Sequence, residues 1–342
     1  MIERPGWPGL IASLCLAVVV CLWPGPAAPA DTTARAPAFE VRENADRIVL
    51  RFGARPVLAY HKSAVPPPKG ADPAYRRSGF IHPLHTPSGA VVTGIHPPDH
   101  VHHFGLWHAW VKSRHAGRQL DFWNLKKKQA TVRFARTVQV VSTLKGAGFT
   151  VEQEHVDLTG RSPRVILRDI FQVAVEKRGE AYLVDYVSKQ TNVTDAALEL
   201  PAYRYGGGIA FRGPSTWKHP TGQYLSSAGR TRADGHQTRS RWCAMSGPAG
   251  RGTATVAILS HRANHDSPQR MRVWDKQPWV FFNYVPTQEK PWQIRPGETA
   301  TMRYRLVVRD GKADAGTLDA LWRDYVGRAT GARPDLHPSA GG

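Results

Sequence analysis

The sequence predicts an all-β fold: a large antiparallel sandwich of two sheets with one helix near the C-terminus. Three observations predict it. Gly (31) and Pro (27) are frequent, a turn-rich composition that favours many short strands over helical bundles. Apolar residues alternate with polar ones through most of the chain, the period that lays one face of a strand on a core. The longest alternating runs come in pairs joined by short glycine-containing turns, which suits a large sandwich better than a small barrel.

Taken in order, residues 1–30 read as a secretory signal. Arg4 supplies a weak positive start, residues 9–23 form an apolar segment too short for a comfortable membrane span, and Ala28-Pro29-Ala30 offers a small-residue cleavage site. The mature chain is expected to begin near Asp31 and to be periplasmic or extracellular, with no transmembrane span. Val18-Val19-Val20 before Cys21 only faintly resembles a lipoprotein site, and lipidation at Cys21 stays open. Residues 31–36 read as a polar linker, followed by strands at 39–42, 47–52 and 56–61. A proline break at Pro66-Pro67-Pro68 leads into a histidine-rich stretch, then a strand at 118–123. A hairpin is expected over 130–144 and 148–158, and a second over 164–176 and 181–193, where Tyr182, Val184 and Tyr186 share one face and Asp185 and Lys189 the other. Strands resume at 242–245, 253–260, 270–274 and 279–284. The cleanest alternation is 299–309, with Met302, Tyr304, Leu306 and Val308 inward and Arg303, Arg305 and Arg309 on the wet face. Leu318, Leu321, Trp322 and Tyr325 repeat at helical spacing after a cap at Asp314 or Thr317. The tail over 329–342 should be loose. With no central linker and no repeat, residues 31–328 read as a single β-sandwich domain.

The formal charge is +19 and the pI about 10.2. The charge is scattered, its one tight run being Lys126-Lys127-Lys128. No zinc-finger spacing or basic helix appears, so nucleic acid is set aside as a partner and an acidic substrate or a cell envelope is preferred. Cys243, the one cysteine of the mature chain, reads as a core thiol.

Eight of the 15 histidines lie between His82 and His115, centred on Pro97-Pro98-Asp99-His100-Val101-His102-His103. Imidazole carries proton transfer and metal binding near neutral pH, so this density beside a carboxylate marks a polar site. His100, His102, His103 and Asp99 are the candidate catalytic residues. His100 and His102 have the spacing of two ligands on one strand face, so a divalent metal remains open; no thiolate cluster or His-Glu-x-x-His accompanies them. Glu152, Glu154, Asp169 and Asp185 lie within strands, where ion pairing is commoner than catalysis. Gly206-Gly207-Gly208 lacks the Lys-Ser/Thr of a phosphate loop and reads as a bulge or a close backbone approach beside a ligand. His261 and Asn264 form a second polar cluster after a strand end. Trp107 and Trp217, flanked by His or Lys, are candidate stacking platforms for sugar rings.

Arg77-Ser78-Gly79-Phe80-Ile81-His82-Pro83-Leu84, the stretch from Pro97 to Trp107, Tyr205-Gly206-Gly207, His261 with Asn264, and Tyr304 to Gly311 resemble a bacterial family labelled PmoA-like, or methane oxygenase PmoA, over nearly the whole mature chain. Phe104 stands where that family commonly has Arg. The methane-oxygenase label is set aside, because such a membrane subunit needs several apolar spans. The resemblance implies an envelope or secreted protein with a supersandwich similar to galactose mutarotases, which move protons about a sugar ring with a His and a carboxylate.

The expectation is a secreted carbohydrate-active enzyme working by His/carboxylate proton transfer: a hydrolase, lyase or epimerase. His82, Trp107, Tyr205, Arg212, His261 and Asn264 would bind the substrate. The alternatives are a non-catalytic carbohydrate-binding protein, and a metal-dependent oxygenase or hydrolase with His100 and His102 as ligands.

Overall fold

Strand alternation builds two eight-stranded sheets in the computed structural model, which describes residues 38–327. The expected signal segment, linker and tail lie outside the described residues. The first sheet runs, edge to edge, Phe39–Glu43, Arg47–Phe52, Arg55–His61, Phe80–Leu84, Leu106–Trp107, Ala210–Arg212, Phe281–Val285, Arg270–Val273. The second runs Gln223–Ser226, Trp242–Ala249, Gly252–Ser260, Thr299–Asp310, Ala181–Asn192, Arg164–Arg178, Gly146–Asp157, Ala130–Ser142. A four-stranded sheet of three-residue strands, of which the sequence expectation held only the one at Arg118–Leu120, adds Trp292–Ile294, Leu198–Leu200, Ser113–His115 and Arg118–Leu120. Pairing between the strands is antiparallel.

Register explains the core. Tyr182, Val184 and Tyr186 stand opposite Val308, Leu306 and Tyr304, so all six project from the same face of the second sheet and are buried. They meet Leu58, Tyr60, Ile81 and Leu106 of the first sheet in one apolar cluster. The expected strand at 118–123 stops at Leu120, because Asp121 Oδ1 accepts from the backbone N of Trp123 and Asn124 and turns the chain.

The helix, Ala315–Gly327, starts where Asp314 Oδ1 accepts from Thr317 N at 2.8 Å. It lays Leu318, Tyr325 and Val326 on Trp242, Ala244, Leu259 and Val307, the outer face of the second sheet. This corrects the wet-face assignment of Arg305. The helix covers it, leaving it 2% exposed; Arg305 Nε and Nη2 donate to the two oxygens of Asp185 at 2.6 and 2.8 Å, and its guanidinium lies over Tyr325. Arg303 and Arg309 stay half-buried.

The triple glycine does serve a close backbone approach, but to the protein itself. A Cβ on Gly207, whose φ is +86°, would fall 2.3 Å from Trp110, and one on Gly208 would fall 2.3 Å from the carbonyl oxygen of Tyr284. Trp217 is fully buried, its Nε1 donating to Pro248 O, so it is no stacking platform.

Candidate functional site

The first sheet has an inner face on the core and an outer face that carries the cleft. Leu106, Phe211 and Phe282 point inward; their neighbours Trp107, Arg212 and Phe281 therefore point outward, and Arg272 joins them through its pairing with Asn283. The loop 96–104 folds over this face. It is pinned by His96 Nδ1 to Val101 O at 2.7 Å, and by backbone bonds from His100 N to Pro97 O and His103 N to His100 O.

That turn brings three imidazoles together. His100 and His103 stack with centroids 4.9 Å apart, and His102 meets His103 edge-on at 4.9 Å and His100 at 5.4 Å. His103 also stacks on Phe281 at 4.7 Å and lies 5.1 Å from Trp107. Trp107 is thus a buried support beneath His103, not an exposed platform, because His103 and Trp123 cover it.

Asp99 is held on the far side of His100. Its Oδ2 pairs with His100 Nδ1 at 2.9 Å, and Arg212 donates to both carboxylate oxygens at 2.9 and 2.6 Å. Arg212 is 2% exposed and its guanidinium lies over Trp274 and Trp279. Burial works to raise the Asp99 carboxyl, but the hydrogen bonds from Arg212 and His100 outweigh it and hold it below the ordinary range. Arg212 is therefore engaged with Asp99 and not free to take a substrate carboxylate. Burial, and then the neighbouring His100, push His102 down to about 3, and burial pushes His103 well below its usual value, so both rings are neutral at ordinary pH.

Three adjoining chambers open here. A central one of about 120 Å³ is lined by His100, His102, His103, Arg204, Tyr205 and Arg272, with Trp123, Asn124, Trp274 and Phe281 completing it. A larger one of about 560 Å³ shares His102, Asn124 and Tyr205 with it and adds Tyr75, Lys112, Lys126, Lys127 and Tyr203 among others. A third of about 200 Å³ shares His100, Arg272 and Trp274 with the centre and adds His236 and Lys276. Arg272 lies over Tyr205 at 5.2 Å, and Arg204 lies over both Tyr205 and Tyr203. The lining cations are Lys112, Lys126, Lys127, Arg204, Arg272 and Lys276, against the carboxylates of Asp121 and Asp275. The cleft is thus strongly positive. Burial raises the Tyr205 hydroxyl to about 12, so it stays protonated, donating to Asn124 Oδ1 at 3.1 Å.

Of the residues singled out in the sequence, His100, His102, His103 and Tyr205 line this cleft, with Asp99 and Arg212 behind them. His82 lies apart from the three chambers. It is hydrogen-bonded to Thr93 Oγ1 and lowered to about 4 by burial and then by His61, His85 and His96. His261 and Asn264 sit at the second sheet. Asn264 takes Arg303 N and donates to Arg303 O, completing strand backbone, and His261 meets Tyr325 of the helix. Glu152 and Glu154 are ion-paired to Arg136 and Arg133. Cys243 is buried, and burial pushes its thiol up. Sequence reasoning missed Arg204, Arg272, Trp274, Asn124 and Tyr203; the Lys126-Lys127-Lys128 run was visible but not tied to a site. Among the described residues no group of three or more His, Cys, Asp or Glu is arranged to hold a metal ion: Asp99 takes His100 Nδ1, His100 stacks on His103, and His102 meets both rings edge-on. None of the described helices is long and apolar enough to cross a membrane.

Comparison with solved structures finds distant likenesses. A heparan sulfate lyase mutant from Pedobacter heparinus is 10% identical over 81% of this chain, with a TM-score of 0.39; this chain spans 37% of its length. A galactose mutarotase related enzyme from Lactobacillus acidophilus is 9% identical, covering 80% of this chain and 100% of its own, at a TM-score of 0.36. An alpha-galactosidase from Lactobacillus brevis is 10% identical, covering 83% of this chain and 41% of its own, at 0.33. No curated protein matches the chain. The profile of a family of unknown function, DUF6807, matches residues 47–323, and the chain belongs to that family.

Proposed function

We propose that this chain is a secreted carbohydrate-active enzyme that binds an acidic sugar in the cleft over the 96–104 loop and acts on it by proton transfer. The observation that carries the reading is the cleft itself: neutral His102 and protonated Tyr205 border the same two chambers, beside the guanidiniums of Arg204 and Arg272. A carbon next to a carboxylate loses its proton when a base stands close and cations hold the developing enediolate. His102 is the base, Arg272 and Arg204 hold the carboxylate, and Tyr205 is the proton donor. Electrons from the broken C–H bond then either expel the β-oxygen, which takes a proton, or recapture a proton on the other face. The first outcome is elimination, the second epimerisation. An anionic substrate beside His102 favours its charged form and strengthens it as a base.

Hydrolysis fits less well. Glycosidases commonly use two free carboxylates flanking the bond. Here Asp99 is held by Arg212, and Asp121 is occupied by the backbone N of Trp123 and Asn124 and the Asn124 amide. A binding-only role is disfavoured by the His100–Asp99 pair at 2.9 Å and by the burial of Trp107 and Trp217.

The test is a panel of uronate-bearing, sulfated, neutral and oxidised (keto) sugars, followed by absorbance of a new C=C bond and by NMR for inverted centres. Acidic sugars should react and neutral ones should not, with kcat falling about 10²–10⁴-fold in His102→Ala. Turnover of neutral glycosides, or an unchanged rate in His102→Ala, overturns the proposal. Secretion belongs to the same proposal. Recovery of the mature chain outside the cytoplasm with Asp31 near its N-terminus supports it, and an uncleaved cytoplasmic product refutes it.

A further inference from the structure

We infer that the cleft takes an oligomer of acidic sugars, with the reacting unit at the centre and further anionic units on both sides, so that the chain is cut or modified internally. The inference rests on the acidic-sugar reading above and adds the length and polarity of the substrate.

The geometry carries it. The 120 Å³ chamber at His100 and His102 has room for little more than the reacting group. The other two chambers share no lining residue with each other, yet each shares three with the centre, so the centre lies between them. A pocket for a single sugar would close beyond the reacting unit. This one is flanked on both sides, on the wide side by about 560 Å³, within the roughly 300–1,000 Å³ range of sites that hold a drug-sized ligand.

The cations are spaced along the same path. Lys126 and Lys127 stand at the wide end, Arg204 and Arg272 at the centre and Lys276 at the narrow end. A monomer with one negative group would need one such site. A row of them matches a backbone bearing a repeated anion, whether carboxylate or sulfate. Gln119, Gln129 and Asn124 stand among the lysines, and two tyrosines, Tyr203 and Tyr205, offer ring faces under cations. Amides, hydroxyls and ring faces suit a polyol chain. This favours an acidic glycan over a single-stranded nucleic acid, which would call for stacking platforms at successive bases.

The experiment is calorimetric titration of the full chain at low and high salt with a uronate monosaccharide, a polyuronate tetramer, a sulfated tetramer and an oligonucleotide of equal charge. The two tetramers separate carboxylate from sulfate as the repeated group. At least one tetramer should bind about tenfold or more tighter than the monosaccharide, with the gain shrinking in salt, and Lys126→Glu/Lys127→Glu should cost that tetramer about tenfold. Both lysines are exposed on a turn, so the double variant should keep its fold, checked by its melting curve. Equal affinity for monosaccharide and tetramers overturns the oligomer inference while leaving the acidic-sugar reading standing. Absence of binding to every acidic sugar overturns both. Tighter binding of the oligonucleotide overturns the choice of glycan.

Discussion

Two histidine–carboxylate constellations flank one short strand, on opposite faces of the same sheet. On the outer face, His100 meets Asp99 at 2.9 Å with its side chain 35% exposed. On the inner face, His108 Nε2 donates to Asp169 Oδ2 across 2.7 Å and its Nδ1 accepts from Tyr186 OH across 2.5 Å, with Ser188 Oγ and the backbone N of Lys189 also donating to Asp169. The inner set has the shorter bonds and the more triad-like geometry. It is also sealed: His108 is 2% exposed and Asp169 0%, and no chamber of the cleft touches either. Around it stand His155, whose two ring nitrogens have no hydrogen-bond partner among the described residues, and Arg77, which burial lowers to about 10. Geometry alone would choose the inner set as the catalytic one. Access chooses the outer. The lesson is that close pairing of imidazole and carboxylate is what any buried polar pair needs in order to exist; a site additionally needs an open path and a place for substrate.

The largest expected effect tests the inner set. Asp169→Ala removes the acceptor for His108, Ser188 and Lys189 N in a dry interior, and should cost about 3–5 kcal/mol in chemical denaturation. If stability barely moves while turnover disappears, the inner set is a working part and the contrast collapses.

The same contrast governs what could be read from the chain. The strands Ala130–Ser142 with Gly146–Asp157, Arg164–Arg178 with Ala181–Asn192, and Thr299–Asp310 were legible because alternation sustained over a dozen residues exceeds chance. Leu106–Trp107 and Ala210–Arg212 are too short to show a period, yet they carry Trp107 and Arg212 to the cleft floor. His100, His102 and His103 were visible as a local density of one residue type. Arg272, Trp274 and Arg204 were not, because only the order of strands in the sheet, which places residues 106–107 beside 210–212 and then 281–285 and 270–273, brings them near. Arg305 misled for a related reason: alternation tells which face a side chain takes, not what later covers that face.

A smaller effect is expected at the outer set. Arg212→Ala leaves the Asp99 carboxylate, among the described residues, with His100 alone as side-chain partner and uncovers Trp274 and Trp279. The loss should be about 2–3 kcal/mol, and the Asp99 carboxyl should rise toward its ordinary value, as followed by NMR titration. An Asp99 that titrates unchanged would show that the pair does not organise the loop.

The pH dependence separates the sets by a smaller margin. Burial lowers His102 to about 3, His82 to about 4, and His103 and His155 well below the ordinary 6.5. Below 6.5 the unfolded chain therefore binds more protons than the folded one, so stability falls as pH drops from 6.5 toward these folded values and is flat above. Asp99 acts at lower pH: its folded value is depressed, so its contribution is present above 3.8 and is lost as pH falls through the folded value. Each buried histidine adds up to about 1.4 kcal/mol per pH unit to the slope. His102→Gln should remove about one such increment; an unaltered slope would mean that His102 is not desolvated in solution.

The smallest change in stability, and the sharpest separation, is expected at Tyr205. Its hydroxyl donates to Asn124 Oδ1 and also meets the Tyr203 side chain, at the border of two chambers, while its ring stays packed against Trp123 and Tyr203. Tyr205→Phe keeps the ring and deletes the proton, so unfolding free energy should shift by about 0.5–1.5 kcal/mol at most. Under the proposed chemistry the same change removes the proton donor, and kcat should fall about 10²–10⁴-fold with KM little altered. A buried polar group such as Asp169 is not expected to show that split, because its variant loses stability along with any activity. A Tyr205→Phe protein that melts like wild type and turns over like wild type would leave the cleft as a binding surface and remove the proton-donor role.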